Sequence, residues 1–229
     1  MHTSAEQARA QLATAVARGP EDVAEAPSPL TDGGVRRSAV LMLFGVLDAV
    51  PADTARPRAV GRDLDVLLTR RADTMRHHPG QIAFPGGGAE PADASSAATA
   101  LREAAEETGV DPSGVEILGA LPDVHVPVSQ NLVTPVVGWW RLPSAVEADH
   151  AESVEVMRVP VAELLDPAAR GTAVLRRSAR TYRGPAFALA PRFGGHVVWG
   201  LTGALLSGLF DELGWAEPWD AKREFALTA

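Results

Sequence analysis

Cysteine is absent from the 229-residue chain. Disulfides, thiolate chemistry and cysteine-based zinc sites are therefore excluded. No window approaches the ~18 consecutive apolar residues of a spanning helix, so no membrane segment is expected. The first residues, Met1 to Gln7, lack a basic stretch followed by an apolar one and do not read as a signal peptide. Positive charge is also short. The net charge is −8, which argues against strong non-specific binding to nucleic acid or to an anionic membrane. These absences predict a soluble cytoplasmic protein. One that takes an anionic substrate needs local help from arginine or a metal. Internal repeats are absent too.

What is present suits one domain. Hydrophobic residues make up 46% and charged residues 22% of the chain, and a chain of this length buries a substantial core. Residues 3–18 read as a helix ended by Gly19-Pro20. A Pro- and Gly-containing linker spans 20–37. The predicted division is an N-terminal helical extension, 1–34, and a main domain, 35–229. Strands are expected at 38–47, 65–70 and 81–84, with a loop at 48–62 and a turn at Pro85-Gly86-Gly87-Gly88. Further strands fall at 115–121, 132–142, 154–159, 173–176, 186–189 and just before Trp199, with helices at 161–165 and 199–213. This mix predicts an α/β or α+β sandwich. Trp139-Trp140 reads as a strand with one ring in the core and one near solvent or an interface, and base stacking is the alternative role. Trp199 reads as core.

The densest information lies at 84–110. A glycine turn leads to a helix that begins near Asp93-Ala94-Ser95-Ser96, residue types that cap helices. It runs to Glu107, where Gly109 supplies the stop. Glu103, Glu106 and Glu107 share one helix face, because residues three and four apart are neighbours. Like charges at that spacing cost a few tenths of a kcal/mol per pair. A glutamate-rich face is ordinarily a solvated surface. It is also what a hard divalent cation requires, since Mg²⁺ and Mn²⁺ take oxygen ligands.

Arg102, Glu103, Ala104, Glu106, Glu107, Gly109 and Val110 resemble the second half of the Nudix box, G-x5-E-x7-R-E-U-x-E-E-x-G-U. The first half departs from it. Counting back from Arg102 puts Ala94 at the box glutamate. Counting forward from Gly87 puts Asp93 there, with one extra residue before Arg102, and Asp93 could then orient Arg102. A similar shift occurs in the coenzyme A pyrophosphatase branch of the Nudix hydrolases. Its upstream signature, roughly L-L-T-x-R-S-x-x-L-R-x-H-x-G-Q-x-x-F-P-G-G-x-x-D, is similar to residues 67–90. Thr69, Arg71, Arg76, His78, Gly80, Gln81 and Phe84-Pro85-Gly86-Gly87 match, while Ala72, Met75 and Glu90 replace Ser, Leu and Asp. The likeness extends to Glu152-Ser153-Val154-Glu155 and Val198-Trp199-Gly200-Leu201-Thr202.

The resemblance implies a Nudix-type α/β/α sandwich with a mixed central sheet. It implies Mg²⁺- or Mn²⁺-dependent hydrolysis of the pyrophosphate of coenzyme A or acyl-CoA, giving 3′,5′-ADP and 4′-phosphopantetheine or its acyl form. Another nucleoside diphosphate derivative, such as ADP-ribose or NADH, is the alternative substrate. A non-catalytic nucleotide-binding module is a third reading, favoured only by Ala94. The implied metal ligands are Glu103, Glu106 and Glu107 with the carbonyl of Gly87 or Gly86. The catalytic carboxylates are Glu103 and Glu106, or Glu152 from a later loop. Arg71, Arg76 and His78 are candidates for gripping substrate phosphates. A homodimer is expected by analogy alone.

Overall fold

In a computed structural model the described residues are 4–17, 34–46, 60, 63–75, 78–127, 129–177 and 180–227. Most of the predicted linker and of the 48–62 loop, together with Arg76 and His77, lie outside them. The long apolar run after the linker becomes β1 (Arg36–Val46). Successive side chains of a strand point to opposite faces. Met42 and Phe44 accordingly enter one buried cluster, and Ala39, Leu41 and Leu43 enter another. A strand covered on both faces needs no polar alternation, which is why β1 reads as uninterrupted hydrophobics.

β1 pairs in parallel with β7 (Asn131–Trp140) and antiparallel with β2 (Leu64–Arg71). β2 also carries β3 (Ile82–Ala83) and β8 (Ser153–Pro160), while β7 carries β5 (Val115–Ala120) and β6 (Val124–Val126). The glycine segment corrects an expectation. Gly86–Gly88 is a strand, β4, not merely a turn, and it pairs Val40, Ala39 and Ser38 with Gly86, Gly87 and Gly88. The central sheet is thus mixed and eight-stranded. A second sheet of four strands contains β9 (Arg170–Arg177), β10 (Arg180–Ala188), β11 (Val197–Val198) and β12 (Glu224–Leu227). β6 and β12 are too short to show a sequence period.

Helices cover both faces of the central sheet. α2 (Ser96–Thr108) presents Ala100 and Ala104 to the smaller cluster. α1 (Ala5–Val16), α3 (Val161–Leu164) and α4 (Gly200–Glu212) join the larger one. α1 starts in a capping box of Ser4 and Gln7, and its stripe Ala8, Leu12, Val16 is fully buried. Gln11 Oε1 accepts from the Trp215 indole at 2.8 Å, and Arg9 pairs with Glu116. The expected boundary at residue 34 therefore separates in sequence what packs together in space. The helix belongs to the domain core. The tryptophan expectations are corrected as well. Trp139 and Trp140 are both buried, one in each cluster, because adjacent strand residues face opposite sides of a sheet that is covered on both. Trp199 is only half-buried.

Candidate active site

β4 delivers the chain to α2 through a short loop that ends in a cap. Ser95 accepts from Ala98 N–H at 3.1 Å, and Gly109, with φ 69°, closes the helix in the left-handed conformation. Between them the arginine of the box is a hub. Arg102 Nε donates to Asp93 Oδ1 at 3.0 Å and Nη2 to Asp93 Oδ2 at 3.1 Å, a two-pronged contact. Nη2 also reaches the Gly88 carbonyl at 2.9 Å, and Nη1 reaches Glu103 at 3.0 Å and Glu106 at 3.1 Å. Asp93 is itself buried and accepts from Glu90 N–H and the Thr99 hydroxyl, both at 2.9 Å. The Arg102 guanidinium and these donors hold its carboxyl below the usual aspartate range. The register is thereby decided: Asp93, not Ala94, occupies the box-glutamate role toward Arg102.

The three helix glutamates part company. Glu107 is 3% exposed, and its Oε1 has no hydrogen-bond partner among the described residues. Burial pushes its carboxyl up to about 8; Arg71 opposes this, and Glu103 and Glu152 reinforce it. Glu103 is likewise raised, mainly by burial, against the pull of Arg102. It rests against Gly87, where a Cβ would collide with its carboxylate. A side chain at 87 would force that carboxylate to move. Glu106 turns out to Arg102 and is 61% exposed. Among the described residues no three of His, Asp and Glu already converge as a ligand cluster.

Two features outside the helix complete the site. Arg71, at the end of β2, is close enough to act on Glu107, and its buried Nε has no partner among the described residues. Glu152 acts on both Glu103 and Glu107 from the loop before β8. That loop is anchored by a residue the sequence did not single out. Asp149 Oδ1 accepts from Ala151, Glu152 and Ser153 N–H at 3.2, 3.2 and 2.8 Å. Its backbone N–H reaches the Glu107 carbonyl at 3.3 Å, and Glu147 N–H reaches that of Thr108 at 3.0 Å. The only sequence signal was an Asp three residues before Glu152. His78 is in a left-handed turn, φ 56°, its carbonyl accepting from Gln81 N–H at 3.3 Å.

These residues fit a hard divalent cation. The donors are carboxylate and carbonyl oxygens, one buried oxygen lacks a partner, and Gly87 leaves a seat for a second carboxylate. A mixed sheet between helices, with a glycine strand feeding a glutamate helix on one face, frames this site. The NUDIX domain family matches residues 55–182, more than half of the chain. The chain belongs to the Nudix family and is a Nudix pyrophosphohydrolase. The uncharacterized Nudix hydrolase NudL of Enterobacter sp. (strain 638) is 38% identical over 149 residues, covering 65% of this chain and 75% of that protein. NudL of Escherichia coli (strain K12) is 36% identical over 149 residues, with the same coverage of both. Among solved structures, the NUDIX domain of Shewanella oneidensis NrtR complexed with ADP ribose covers 67% of this chain and 85% of its own at 22% identity, with a TM-score of 0.42. No helix among the described residues is long and apolar enough to cross a membrane.

Proposed function

We propose that the protein hydrolyses the pyrophosphate bond of coenzyme A or an acyl-CoA, releasing 3′,5′-ADP and 4′-phosphopantetheine or its acyl form. The observation that carries this reading is the placement of Arg71, from the segment resembling the coenzyme A branch, beside the buried Glu107 of the box. A planar guanidinium there suits a diphosphate oxygen. Arg76 and His78, from the same segment, would contact further phosphate oxygens.

Glu103 and Glu107, with a carbonyl of the Gly86-Gly87 strand, would hold Mg²⁺ or Mn²⁺. Such an ion, when bound, acts as a Lewis acid on the phosphoryl oxygens and lowers the pKa of a water. The protein supplies the rest. Arg102 fixes Glu103 and keeps Glu106 at the rim. Glu152, on a loop pinned to the C-terminal end of α2, is our candidate for the base that takes the proton of the attacking water. The non-catalytic reading loses its single support, since Asp93 does the work expected of the residue missing at Ala94. The cysteine-free chain and this substrate suit a cytoplasmic enzyme.

The test is turnover with Mg²⁺ on coenzyme A, ADP-ribose, NADH and dinucleoside polyphosphates, with products read by chromatography. Coenzyme A is expected to be cleaved fastest. Turnover of ADP-ribose far above coenzyme A overturns the assignment. Nucleotide binding without any turnover revives the module. Glu152→Gln is expected to lower kcat by at least ~10²-fold, and a variant near wild-type removes Glu152 as the base.

A further inference from the structure

A partly exposed ring held in place by its neighbours offers a flat face with a polar tip. Tyr182 on β10 is 36% exposed, and Leu142 is the other large apolar side chain exposed among the described residues. Tyr182 is fixed on three sides. Its ring lies over Gly184, on the same strand face, where a Cβ would come within 2.7 Å of the Tyr182 Cζ. Its hydroxyl lies near the backbone N–H of Gly200, the first residue of α4 and one of the donors a helix N-terminus leaves unsatisfied; the N-cap residue Trp199 supplies no side-chain cap. The Trp199 ring stands against the Tyr182 ring at 5.8 Å and 54°.

The pair lies toward the catalytic strands. β11 and α4 rest against β3, and Ala83 of β3 is four residues from Gly87, a span of at most ~14 Å. His196 reaches Glu155 at 3.8 Å, and Glu155 holds Arg70 at 2.8 Å, the neighbour of Arg71. The family match ends at residue 182. Tyr182 is thus the last residue of that match, and Trp199 lies beyond it.

We propose that Tyr182, walled by Trp199, is the stacking platform for the purine base of the nucleotide substrate. The inference rests on the nucleotide-pyrophosphatase reading above and adds where the base is held. A pre-positioned aromatic face suits a base because every base has a π-face and stacking needs no particular hydrogen-bond pattern. Adenine is common to coenzyme A, ADP-ribose and NADH, so the platform serves whichever of them is cleaved. Trp139 and Trp140 are buried and cannot take this role.

The experiment compares wild type with Tyr182→Leu, Tyr182→Phe and Trp199→Leu by steady-state kinetics on the preferred diphosphate and by calorimetric binding of AMP. Tyr182→Leu is expected to raise KM at least tenfold with kcat within about twofold, and to weaken AMP binding in step. Tyr182→Phe keeps the ring but loses the hydroxyl, and is expected to raise KM less than Tyr182→Leu does. Trp199→Leu, which removes the wall, is expected to raise the same KM at least threefold and decides the matter if Tyr182→Leu does not fold. Unchanged KM in leucine variants that unfold at the wild-type temperature overturns the platform while leaving the hydrolase reading intact. A fall in kcat alone also overturns it. So does a wild-type dimer that Tyr182→Leu converts to monomer in light scattering, since that face would then join two copies of the chain. A wild type that neither cleaves an adenine nucleotide nor binds AMP brings down both readings together.

Discussion

Arg102 and Arg170 show two uses of one side chain. Arg102, on the helix that covers one face of the central sheet, donates to Asp93, Glu103, Glu106 and the Gly88 carbonyl. Every contact fixes an atom of the candidate site. Arg170, in the second sheet, is 0% exposed and donates from Nη2 to the Ser207 hydroxyl at 2.9 Å. Its Nε and Nη1 have no partner among the described residues. It is held between the rings of Phe187 and Trp219, at 5.2 and 5.1 Å, and burial lowers its pKa against the pull of Asp211. In the first region unfavourable charge is gathered and oriented, as a ligand site requires. In the second a guanidinium serves as a flat packing plate. Buried charge alone does not mark the functional region; convergence of oppositely charged partners does.

Substitutions that separate the two regions test this contrast. Glu107→Gln is expected to give the largest effect, a fall in kcat of at least ~10²-fold, measured at saturating Mg²⁺. The same residue sets a pH dependence. Its carboxyl titrates at about 8 in the folded chain and near 4.3 when unfolded. A raised folded value gives stability that is complete below the unfolded value and lost as pH rises through the folded one. Without added divalent cation, Tm is therefore expected to fall between about pH 4.3 and pH 8, the loss being on the order of a few kcal/mol. Glu107→Gln should flatten that fall, and a variant whose Tm tracks wild type across the range would contradict it.

Gly87→Ala comes next. Its methyl would occupy the seat of the Glu103 carboxylate, so a loss of turnover of at least ~10-fold is expected, with far-UV circular dichroism unchanged. Asp93→Ala releases Arg102 and leaves the Thr99 hydroxyl and Glu90 N–H without their acceptor. It is expected to destabilise by about 1–3 kcal/mol in denaturant titration and to lower kcat as Glu103 loses its brace. Arg170→Met should have the smallest effect. It removes two unpartnered N–H groups while retaining apolar contact, so stability should stay within about 1 kcal/mol or rise, with kcat unchanged. A loss of turnover there would erase the distinction between the regions.

The glutamate helix was legible because its signals are local. Ser95 caps it, Gly109 stops it, and the i, i+3, i+4 spacing places its carboxylates. Strands β1, β2 and β7 were legible as apolar runs. The second face of the sheet was not. Leu12 in α1 carries no mark that it will pack beneath a strand more than a hundred residues away, so the N-terminal helix read as an appendage. Asp149 and Tyr182 escaped notice for the same reason. One acts through backbone N–H groups, and the other matters because of Gly184 and Gly200, whose positions are properties of the folded chain.

The clamp on Arg102 also shows how one contact is reached by a different spacing. The box pattern puts a glutamate eight positions before its arginine; here an aspartate stands nine positions before Arg102. The carboxylate has moved one residue away along the chain and lost one methylene, and it still meets the guanidinium with both oxygens. In this chain the extra loop residue and the missing methylene offset each other, so that both carboxylate oxygens arrive at one guanidinium.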